Sequence, residues 1–500
     1  MNTSKKSYRL APLLLTGCML QGSASPRPNI IFFLADDLGY KDLGCYGSTF
    51  YETPNIDKLA AKGVLFTNAY SACAVCSPSR AAILTGKYPG RLKITDWIGP
   101  ESSHVKGKMT MPAFKQHLPL EEITIAEALK QAGYSTCFVG KWHLGKSDYF
   151  PDKQGFDINI GGIDAGSPPS YFSPYTNEVY NKTWRWEGPL PNLEPGPPGE
   201  YLTDRLTDEA VNFLDTISGK PFFLYFSHYA VHMPLQAKKE LVEKYKEKAT
   251  KLPPQEIPEF IRDLNGSYTR TVQNHAVYAA MIESLDESIG RVMQKLEEMG
   301  ASENTIIVFV SDNGGLTTSN FQKYDFKLNP FELPTSVLPF RTGKGFYYEG
   351  GVRVPAIIYQ PGAATNGKKS DVVVTGTDFY PTLLEMCDIK PLKKQHVDGE
   401  SLAPVLSGKK DKLLRKAIYW HYPHYHGYGE TPVSAIRKGR YKLIQHYENQ
   451  KVELYDLETD ISEKNDLSSA LPHVTADLLK DLGKWKKSAN VDYAVFPSDQ

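Results

Sequence analysis

Short apolar runs alternate along the chain with segments of helical periodicity. Four of the runs are rich in β-branched and aromatic residues, and polar side chains follow each of them: residues 30–35, 135–140, 222–227 and 306–311. Runs this short and this apolar predict strands that are buried on both faces. Helical patterns over residues 120–133 and 275–300 lie between them and end at glycines. We therefore expect an α/β fold with a large mixed, mostly parallel sheet flanked by helices.

The pattern changes beyond about residue 410. Residues 354–360 still predict a strand of the main sheet, whereas alternating runs that start at Ala417, Ser434, Tyr441 and Val452 predict a smaller antiparallel sheet. An amphipathic helix is predicted over Val474–Lys487. The chain is therefore expected to form a main domain over residues 26–410 and a C-terminal α+β subdomain over residues 411–500.

The first 25 residues have the pattern of a signal peptide. Lys5, Lys6 and Arg9 precede an apolar stretch that is too short to span a membrane permanently. Residues 15–18, which end at Cys18, resemble the bacterial lipobox and imply a lipidated cysteine; cleavage near Ala24 is the alternative. We expect export to the periplasm or cell envelope, with membrane contact only through this lipid anchor.

Composition excludes some classes of partner. The chain carries 57 Lys and Arg against 57 Asp and Glu, so no excess of positive charge favours nucleic acid. Five cysteines follow Cys18, an odd number scattered over a long chain, which does not suit a disulfide framework. Cys73 and Cys76 have the spacing of a redox pair or half a zinc site, but no second such pair is present.

Two predicted strands end in oxygen-bearing side chains. Asp36 and Asp37 follow the first strand, and Asp312 and Asn313 follow the fourth. In open α/β sheets ligands gather at the carboxyl ends of the strands, so these side chains are expected to meet. Such oxygens suit calcium or magnesium better than zinc, while solvated strand ends are the alternative interpretation.

The segment from Cys76 to Gly86 predicts a helix that begins beside a cysteine. Ser77 fits an N-cap, Pro78 the first helical position, and Gly86 the C-terminal end. Cys76 would then lie at a positive helix terminus with Arg80 about one turn further on. This position favours an anion or a lowered thiol pKa, and a buried structural cysteine is the alternative.

These residues carry a resemblance to a known family. Cys76-Ser77-Pro78-Ser79-Arg80 followed by Thr85-Gly86 resembles the signature of the formylglycine-dependent sulfatases of the alkaline phosphatase superfamily. Four more segments are similar to that family in the same order, and together they span nearly the whole mature chain: Ala35–Gly39, Gly140–Gly145, Ser311–Gly314 and Gly343–Pro355. The resemblance implies an alkaline phosphatase-like fold and sulfatase activity.

The resemblance also implies a set of site residues. Calcium, with magnesium as the alternative, would be bound by Asp36, Asp37, Asp312 and Asn313. A maturation enzyme would convert Cys76 to formylglycine, and the sulfate would be surrounded by Arg80, Lys141, His143, His232 and Lys344. Arg80 would hold the hydrated aldehyde, His143 would accept a proton during sulfate release, and His232 would protonate the leaving oxygen.

The sequence contains further candidates for the core and for the substrate pocket. His228 is predicted to be a hydrogen-bonded core histidine, while Met233-Pro234 after His232 favours His232 for the site. A loop with histidines and tyrosines from His421 to Gly429 suits a substrate pocket, in which we assign sugar recognition to His421 and His424. The aromatic segment Tyr171–Trp186 is a second candidate for the pocket rim.

The combined expectation is an exported bacterial sulfatase. Its substrate would be a sulfated saccharide, for example a galactose- or N-acetylgalactosamine-type sugar, by analogy with glycan-degrading sulfatases. A phosphomonoesterase or phosphonate hydrolase on the same fold is the alternative enzyme. A silent glycan-binding lipoprotein is the alternative that is not an enzyme, and it would require that Cys76 is not matured.

Overall fold

The computed structural model describes residues 27–100, 104–176, 190–217, 219–320, 333–390, 395 and 398–497. The predicted signal peptide with Cys18 lies outside the described residues, and so does the candidate rim segment from residue 177 onward. Within the described parts of the chain, no helix combines the length and the apolar composition needed to cross a membrane.

The described strands are β1 (Asn29–Ala35), β2 (Val64–Phe66), β3 (Ala69–Tyr70), β4 (Ser135–Gly140), β5 (Ile158–Ile160), β6 (Phe222–Ser227), β7 (Phe260–Arg262), β8 (Tyr268–Arg270), β9 (Thr305–Ser311), β10 (Thr318–Ser319), β11 (Ala356–Tyr359), β12 (Lys369–Ser370), β13 (Val374–Thr375), β14 (Ala417–Tyr422), β15 (Val433–Lys438), β16 (Tyr441–His446) and β17 (Val452–Asp456). The described α-helices are α1 (Pro54–Lys62), α2 (Cys76–Thr85), α3 (Pro89–Leu92), α4 (Ile125–Gln131), α5 (Leu202–Thr216), α6 (Lys239–Thr250), α7 (Ala276–Glu298), α8 (Glu349–Val352), α9 (Phe379–Met386), α10 (Ala403–Leu406) and α11 (Pro472–Ser488).

The main sheet has eight strands in the order β12-β2-β11-β9-β1-β6-β4-β5. Strands β9, β1, β6, β4 and β5 run parallel, whereas β11 pairs antiparallel with both β9 and β2. The predicted mixed, mostly parallel sheet is therefore confirmed. The four apolar runs correspond to β1, β4, β6 and β9, and the fifth predicted strand is β11.

Burial on both faces explains why these strands lack polar alternation. Along β1, Ile31 and Phe33 pack into one hydrophobic cluster, while Phe32 and Leu34 pack into a second cluster on the other face. Each cluster excludes water from a different layer of helices and loops. The register places Ala35 opposite Ser311, so that β1 and β9 end at the same edge of the sheet.

The second sheet is antiparallel in the order β14-β15-β16-β17. Leu443 on β16 packs in one cluster with Leu482 of α11, while Trp420 on β14 packs against Tyr70 of the main body. The smaller antiparallel sheet with its helix is confirmed. The domain boundary after residue 410 stays a prediction.

Local capping sets the helix boundaries. Residues 120–133 were expected to be helical, but α4 covers only Ile125–Gln131. The hydroxyl of Thr124 accepts a hydrogen bond from the backbone of Glu127, whose side chain accepts one from the backbone of Thr124. This reciprocal capping box begins the helix at Ile125, not near residue 120 as the pattern predicts.

Candidate active site

The edge where β1, β4 and β9 end gathers buried charges of both signs. Lys141 follows β4, and its Nζ lies 2.5 Å from Asp36 Oδ2 at the end of β1. Asp312 follows β9, and its Oδ2 accepts a hydrogen bond of 2.9 Å from Arg80 Nε. The side chains of Asp36, Asp312 and Lys141 have no exposed surface. The predicted convergence of strand ends therefore brings these residues together.

Helix α2 directs Cys76 and Arg80 to this edge. The helix begins at Cys76 with Val75 as its N-cap, so the expected cap at Ser77 is wrong. The hydroxyl of Ser77 instead accepts a hydrogen bond of 3.0 Å from the backbone of Ile98. The end at Gly86 is confirmed, because its φ of 72° is the left-handed conformation that closes helices.

The environment of Cys76 differs from the sequence expectation. Its Sγ lies 3.7 Å from Asp36 Oδ1 and 3.9 Å from Asp37 Oδ1. Burial raises the pKa of the Cys76 thiol to about 12, and the nearby Lys141 and Lys344 only partly oppose this. The expected lowered thiol pKa is therefore wrong, since burial beside carboxylates outweighs the helix terminus.

Asp37 forms hydrogen bonds with both Lys344 and Asn313. Its Oδ2 accepts a hydrogen bond of 2.7 Å from Lys344 Nζ, and its Oδ1 accepts one of 2.8 Å from Asn313 Nδ2. Burial raises the pKa of Asp37, but Lys344 and His232 outweigh it and hold that pKa below its usual value. Burial raises the pKa of Asp36 to about 8 despite Lys141.

Among the described residues, one group of side chains at Asp37 could hold a metal ion, and it shares Asp36 and Asp37 with the predicted ligand set. Ligand atoms of Asp36, Asp37, Cys76 and His232 lie within 4.8 Å of one another. Asn313 Oδ1 is buried and has no hydrogen-bond partner in the described structure. An oxygen left unpaired at a cluster of carboxylates fits a hard cation such as calcium, because such an ion takes carboxylate and amide oxygens together.

His143 and His232 face the site in defined tautomers. His143 Nε2 donates to the carbonyl of Ile98 at 2.7 Å, and its buried Nδ1 has no partner among the described residues. His232 Nδ1 donates to the carbonyl of Met233 at 2.7 Å, which leaves Nε2 3.1 Å from Lys344 Nζ. Burial lowers the pKa of both rings, with Lys141 adding to the effect at His143 and Lys344 at His232.

His228 lies apart from these groups. Its Nε2 lies 2.9 Å from Ser288 Oγ on α7, and its ring stacks on Phe226. Burial lowers its pKa to about 3, so the ring is neutral. This placement is consistent with the predicted core role.

The two histidines assigned to sugar recognition are buried. His421 Nε2 donates to the carbonyl of Asp492 at 2.7 Å, and its Nδ1 lies 2.7 Å from Ser434 Oγ. His424 Nε2 lies 2.8 Å from Thr95 Oγ1. Both ring nitrogens of His421 and one of His424 therefore bind other parts of the chain, and their recognition role stays a prediction.

His426 and Tyr428 also lie near Lys344 and Asp37, although neither is among the predicted site residues. Burial lowers the pKa of His426 to about 4, with Lys344 among the contributing charges. A Cβ placed on Gly345 would lie 2.6 Å from His426 Nδ1, so the residue after Lys344 packs directly against this ring. The position after Lys344 suits glycine for a second reason, because its φ is +88°. The cluster of histidines and tyrosines in residues 421–429 was the available signal.

A separate cavity of about 470 Å³ lies between α5 and α6. Its lining includes Phe172 from the candidate rim segment Tyr171–Trp186, but none of the predicted catalytic, metal-binding or sugar-binding residues. Arg205 there pairs with Glu209, and Lys238 pairs with Asp204 and Glu287. These charges are already neutralised within the protein.

The chain is similar to several known proteins. The family model described as Sulfatase matches residues 28–389, and the model described as N-sulphoglucosamine sulphohydrolase, C-terminal, matches residues 342–488. A sulfatase of Formosa agariphila is 33% identical over 92% of this chain and 88% of that protein. The N-acetylgalactosamine-6-sulfatase of Rattus norvegicus is 32% identical over 87% of this chain and 74% of that protein. The crystal structure of Ps i-CgsB in complex with k-i-k-neocarrahexaose is 31% identical, covers 92% of each chain and has a TM-score of 0.73.

Proposed function

Because this chain belongs to the sulfatase family of sulfuric ester hydrolases, we propose that it hydrolyses sulfate monoesters of saccharides with a formylglycine derived from Cys76 and a bound calcium ion. The observation that carries the proposal is the buried arrangement of three carboxylates and three cationic side chains around Cys76. Asp36, Asp37 and Asp312 supply the negative charges. Lys141, Lys344 and Arg80 supply the positive ones.

The charge balance supports a divalent cation at this edge. Each of the three cationic side chains is paired with a carboxylate, so none is free to neutralise an incoming sulfate. Asp36, Asp37, Asp312 and Asn313 would hold the ion, which would supply positive charge that draws the sulfate oxygens and polarises the sulfur. With the ion bound, Lys141 and Lys344 could each donate some of their hydrogen bonds to the substrate sulfate and not to the carboxylates.

Residues of this chain would hold the modified side chain in place and would transfer protons to and from the reacting groups. A hydrated formylglycine supplies one hydroxyl that attacks sulfur and a second whose deprotonation releases sulfate. Arg80 holds this group in place, because its guanidinium is itself fixed by Asp312, the Lys141 carbonyl and Ser227 Oγ. His143 offers its unpartnered Nδ1 as the proton acceptor for the release step.

His232 would protonate the leaving oxygen. Its Nδ1 is engaged by the Met233 carbonyl, so Nε2 is the atom that can carry the proton. The negative charge of a bound sulfate next to Lys344 and His232 favours the protonated ring. The net reaction consumes one water and yields the free hydroxyl of the sugar and sulfate.

A saccharide is the proposed leaving group for two reasons. The similar proteins include an N-acetylgalactosamine-6-sulfatase and a structure with a bound neocarrahexaose. His421 lies on β14 and His424 in the loop that follows it, and His426 of the same loop packs against the residue after Lys344, so we place recognition of the sugar there. We also propose that the chain is exported, with Cys18 as the site of lipid attachment.

The test measures product release from matched esters. Protein matured in a host with the formylglycine-generating enzyme is given nitrophenyl sulfate, nitrophenyl phosphate, phenylphosphonate esters and sulfated N-acetylgalactosamine and galactose. We expect kcat/KM for sulfate esters to exceed that for phosphate or phosphonate by about tenfold or more, equivalent to about 1.4 kcal/mol of transition-state binding. Preference for phosphate or phosphonate would assign the alternative hydrolase function. The Cys76→Ala variant is the control for contaminating activity.

A further inference from the structure

A carboxylate and an imidazole outside the sulfate-binding groups form a buried pair. His104 Nδ1 lies 3.0 Å from Asp96 Oδ2, and the two side chains are 10% and 1% exposed. Asp96 Oδ1 also accepts hydrogen bonds of 2.8 Å from Tyr422 Oη and from the backbone of Trp97. Burial raises the pKa of Asp96, but the hydrogen bond from His104 and the nearby His424 and His426 outweigh it and hold that pKa below its usual value. The carboxylate therefore fixes Nδ1 of His104 as a donor.

The other ring nitrogen of His104 has no partner. Its Nε2 is buried and makes no hydrogen bond within the described residues. An unpaired buried polar atom costs free energy unless a ligand or ordered water satisfies it, so such an atom requires an explanation. Because Asp96 fixes the opposite nitrogen, Nε2 is the atom that the pair presents to a ligand.

Two sets of contacts connect the Asp96–His104 pair to the proposed catalytic groups. Asp96 is two residues from Ile98, whose carbonyl binds His143 and whose amide binds Ser77 at the start of α2. On the other side, Tyr422 packs 6.4 Å from His426, the ring that contacts Gly345 beside Lys344. Asp96 therefore connects His104 both to the segment that binds His143 and to the C-terminal sheet.

Aromatic rings surround the imidazole. The ring of Trp97 lies 4.7 Å from that of His104, and the ring of Phe114 lies 5.4 Å from it in an edge-on arrangement. Phe114 also lies 5.1 Å from the ring of His424. A polar atom set among aromatic faces is typical of saccharide pockets, because sugars present hydroxyls at their edges and apolar C–H groups on their faces.

We propose that His104 binds a hydroxyl of the sugar that carries the sulfate and that Asp96 positions it for this contact. A hydroxyl both donates and accepts, so it can satisfy Nε2 in either protonation state of the ring. The proposal rests on the saccharide sulfatase function above and adds a specificity residue on the main body, separated from His424 by the ring of Phe114.

The same pair does not form a metal site. Carboxylate and histidine pairs are common behind metal ions, but an ion needs at least two further ligands. In the described part of the chain, the group of ligand atoms close enough to hold a metal is the one at Asp37, which does not include His104. His424, the nearest imidazole across Phe114, uses its Nε2 on Thr95.

The test exploits the different reach of two amide side chains. The amide of His104→Asn occupies the place of Nδ1 and keeps the bond to Asp96, but leaves nothing at Nε2. The amide of His104→Gln reaches the place of Nε2. We expect His104→Asn to lower kcat/KM about 10- to 100-fold on the sulfated saccharide that the wild type cleaves best among N-acetylgalactosamine, galactose, glucosamine and fucose sulfates. The loss should lie mainly in KM, nitrophenyl sulfate should stay within about twofold, and His104→Gln should recover part of the loss.

The matched control is His446→Asn. His446 is 11% exposed and also faces a carboxylate, with Nε2 3.4 Å from Glu453 Oε2, and it lies at the end of β16 in the C-terminal sheet. The His446→Asn variant should leave the ratio of saccharide to aryl sulfate turnover unchanged.

Equal losses on saccharide and aryl sulfate for His104→Asn, or an unchanged saccharide KM, would overturn the proposal for His104 alone. Wild-type cleavage of the aryl sulfate but of none of the saccharides would also overturn it. No sulfate release from any ester by matured wild-type protein would instead overturn the proposed function and this inference with it.

Discussion

Asp37 is the residue on which most of the site depends. It contacts Lys344, Asn313 and His232, and it adopts a φ of 59° that non-glycine residues rarely show. His143 has the same φ. Such conformations persist where the surrounding contacts hold them, and they concentrate at functional sites. The two residues are therefore held in place by the packing around them and do not relax to an ordinary backbone.

The proposed acid role of His232 can be distinguished from a general loss of site structure by comparing substrates with different leaving groups. A sugar alkoxide needs a proton in order to leave, whereas a nitrophenolate does not. We expect His232→Ala to lower kcat about 10²- to 10⁴-fold on a sulfated sugar and far less on nitrophenyl sulfate. The measurement is kcat on both esters for the same preparation.

His228→Ala is the comparison for this prediction. Its hydrogen bond to Ser288 is buried, so its loss should lower the free energy of unfolding by about 1–3 kcal/mol while both esters are affected alike. A selective loss on the sugar in His228→Ala, or equal losses on both esters in His232→Ala, would reverse the assignment of the two histidines.

At the scale of elements, the sequence was informative where a single physical pattern dominated. The strands of the main sheet were predictable because burial on both faces forces continuous apolar runs, and β1 and β9 match their predicted runs closely. Helix starts were less predictable, because they depend on which side chain reaches a free amide. Ser77 has the chemistry of a cap, yet it binds the distant Ile98 instead, and Val75 takes the cap position.

The contacts around His104 could not be predicted from the sequence for a related reason. Thr95 meets His424, and Asp96 meets Tyr422, across more than 300 residues of chain. No local periodicity encodes such pairs, because they depend on how the C-terminal sheet docks on the main body. The residue types at the strand ends were predictable, but the partners of the loop histidines were not.

At the scale of the whole molecule, buried charge joins the C-terminal sheet to helix α8 of the main body. Lys442 on β16 is fully buried between Glu349 Oε1 at 3.0 Å and Glu463 Oε1 at 2.9 Å. Glu349 belongs to the segment that also carries Lys344. Breaking a buried ion pair is strongly destabilising, so this contact fixes the C-terminal sheet relative to the catalytic edge.

Calcium is expected to stabilise the whole fold as well as to permit catalysis. Three buried carboxylates at one edge repel one another, and an ion that binds only the folded state adds about 2.7 kcal/mol of stability at a concentration of about 100 times its Kd. Chelation should therefore lower both Tm and sulfate release, and added calcium should restore both. Differential scanning calorimetry with parallel assays measures this. Restoration by zinc but not by calcium or magnesium would contradict the oxygen-ligand site.

The central claim is that Cys76 acts as formylglycine. The most direct measurement is the mass of the proteolytic peptide that contains Cys76, taken on preparations with different degrees of maturation whose sulfate release is assayed in parallel. We expect the mass of an aldehyde in place of the thiol, in a fraction that rises in proportion to the specific activity. Preparations of full activity in which this peptide carries only unmodified cysteine would contradict the account.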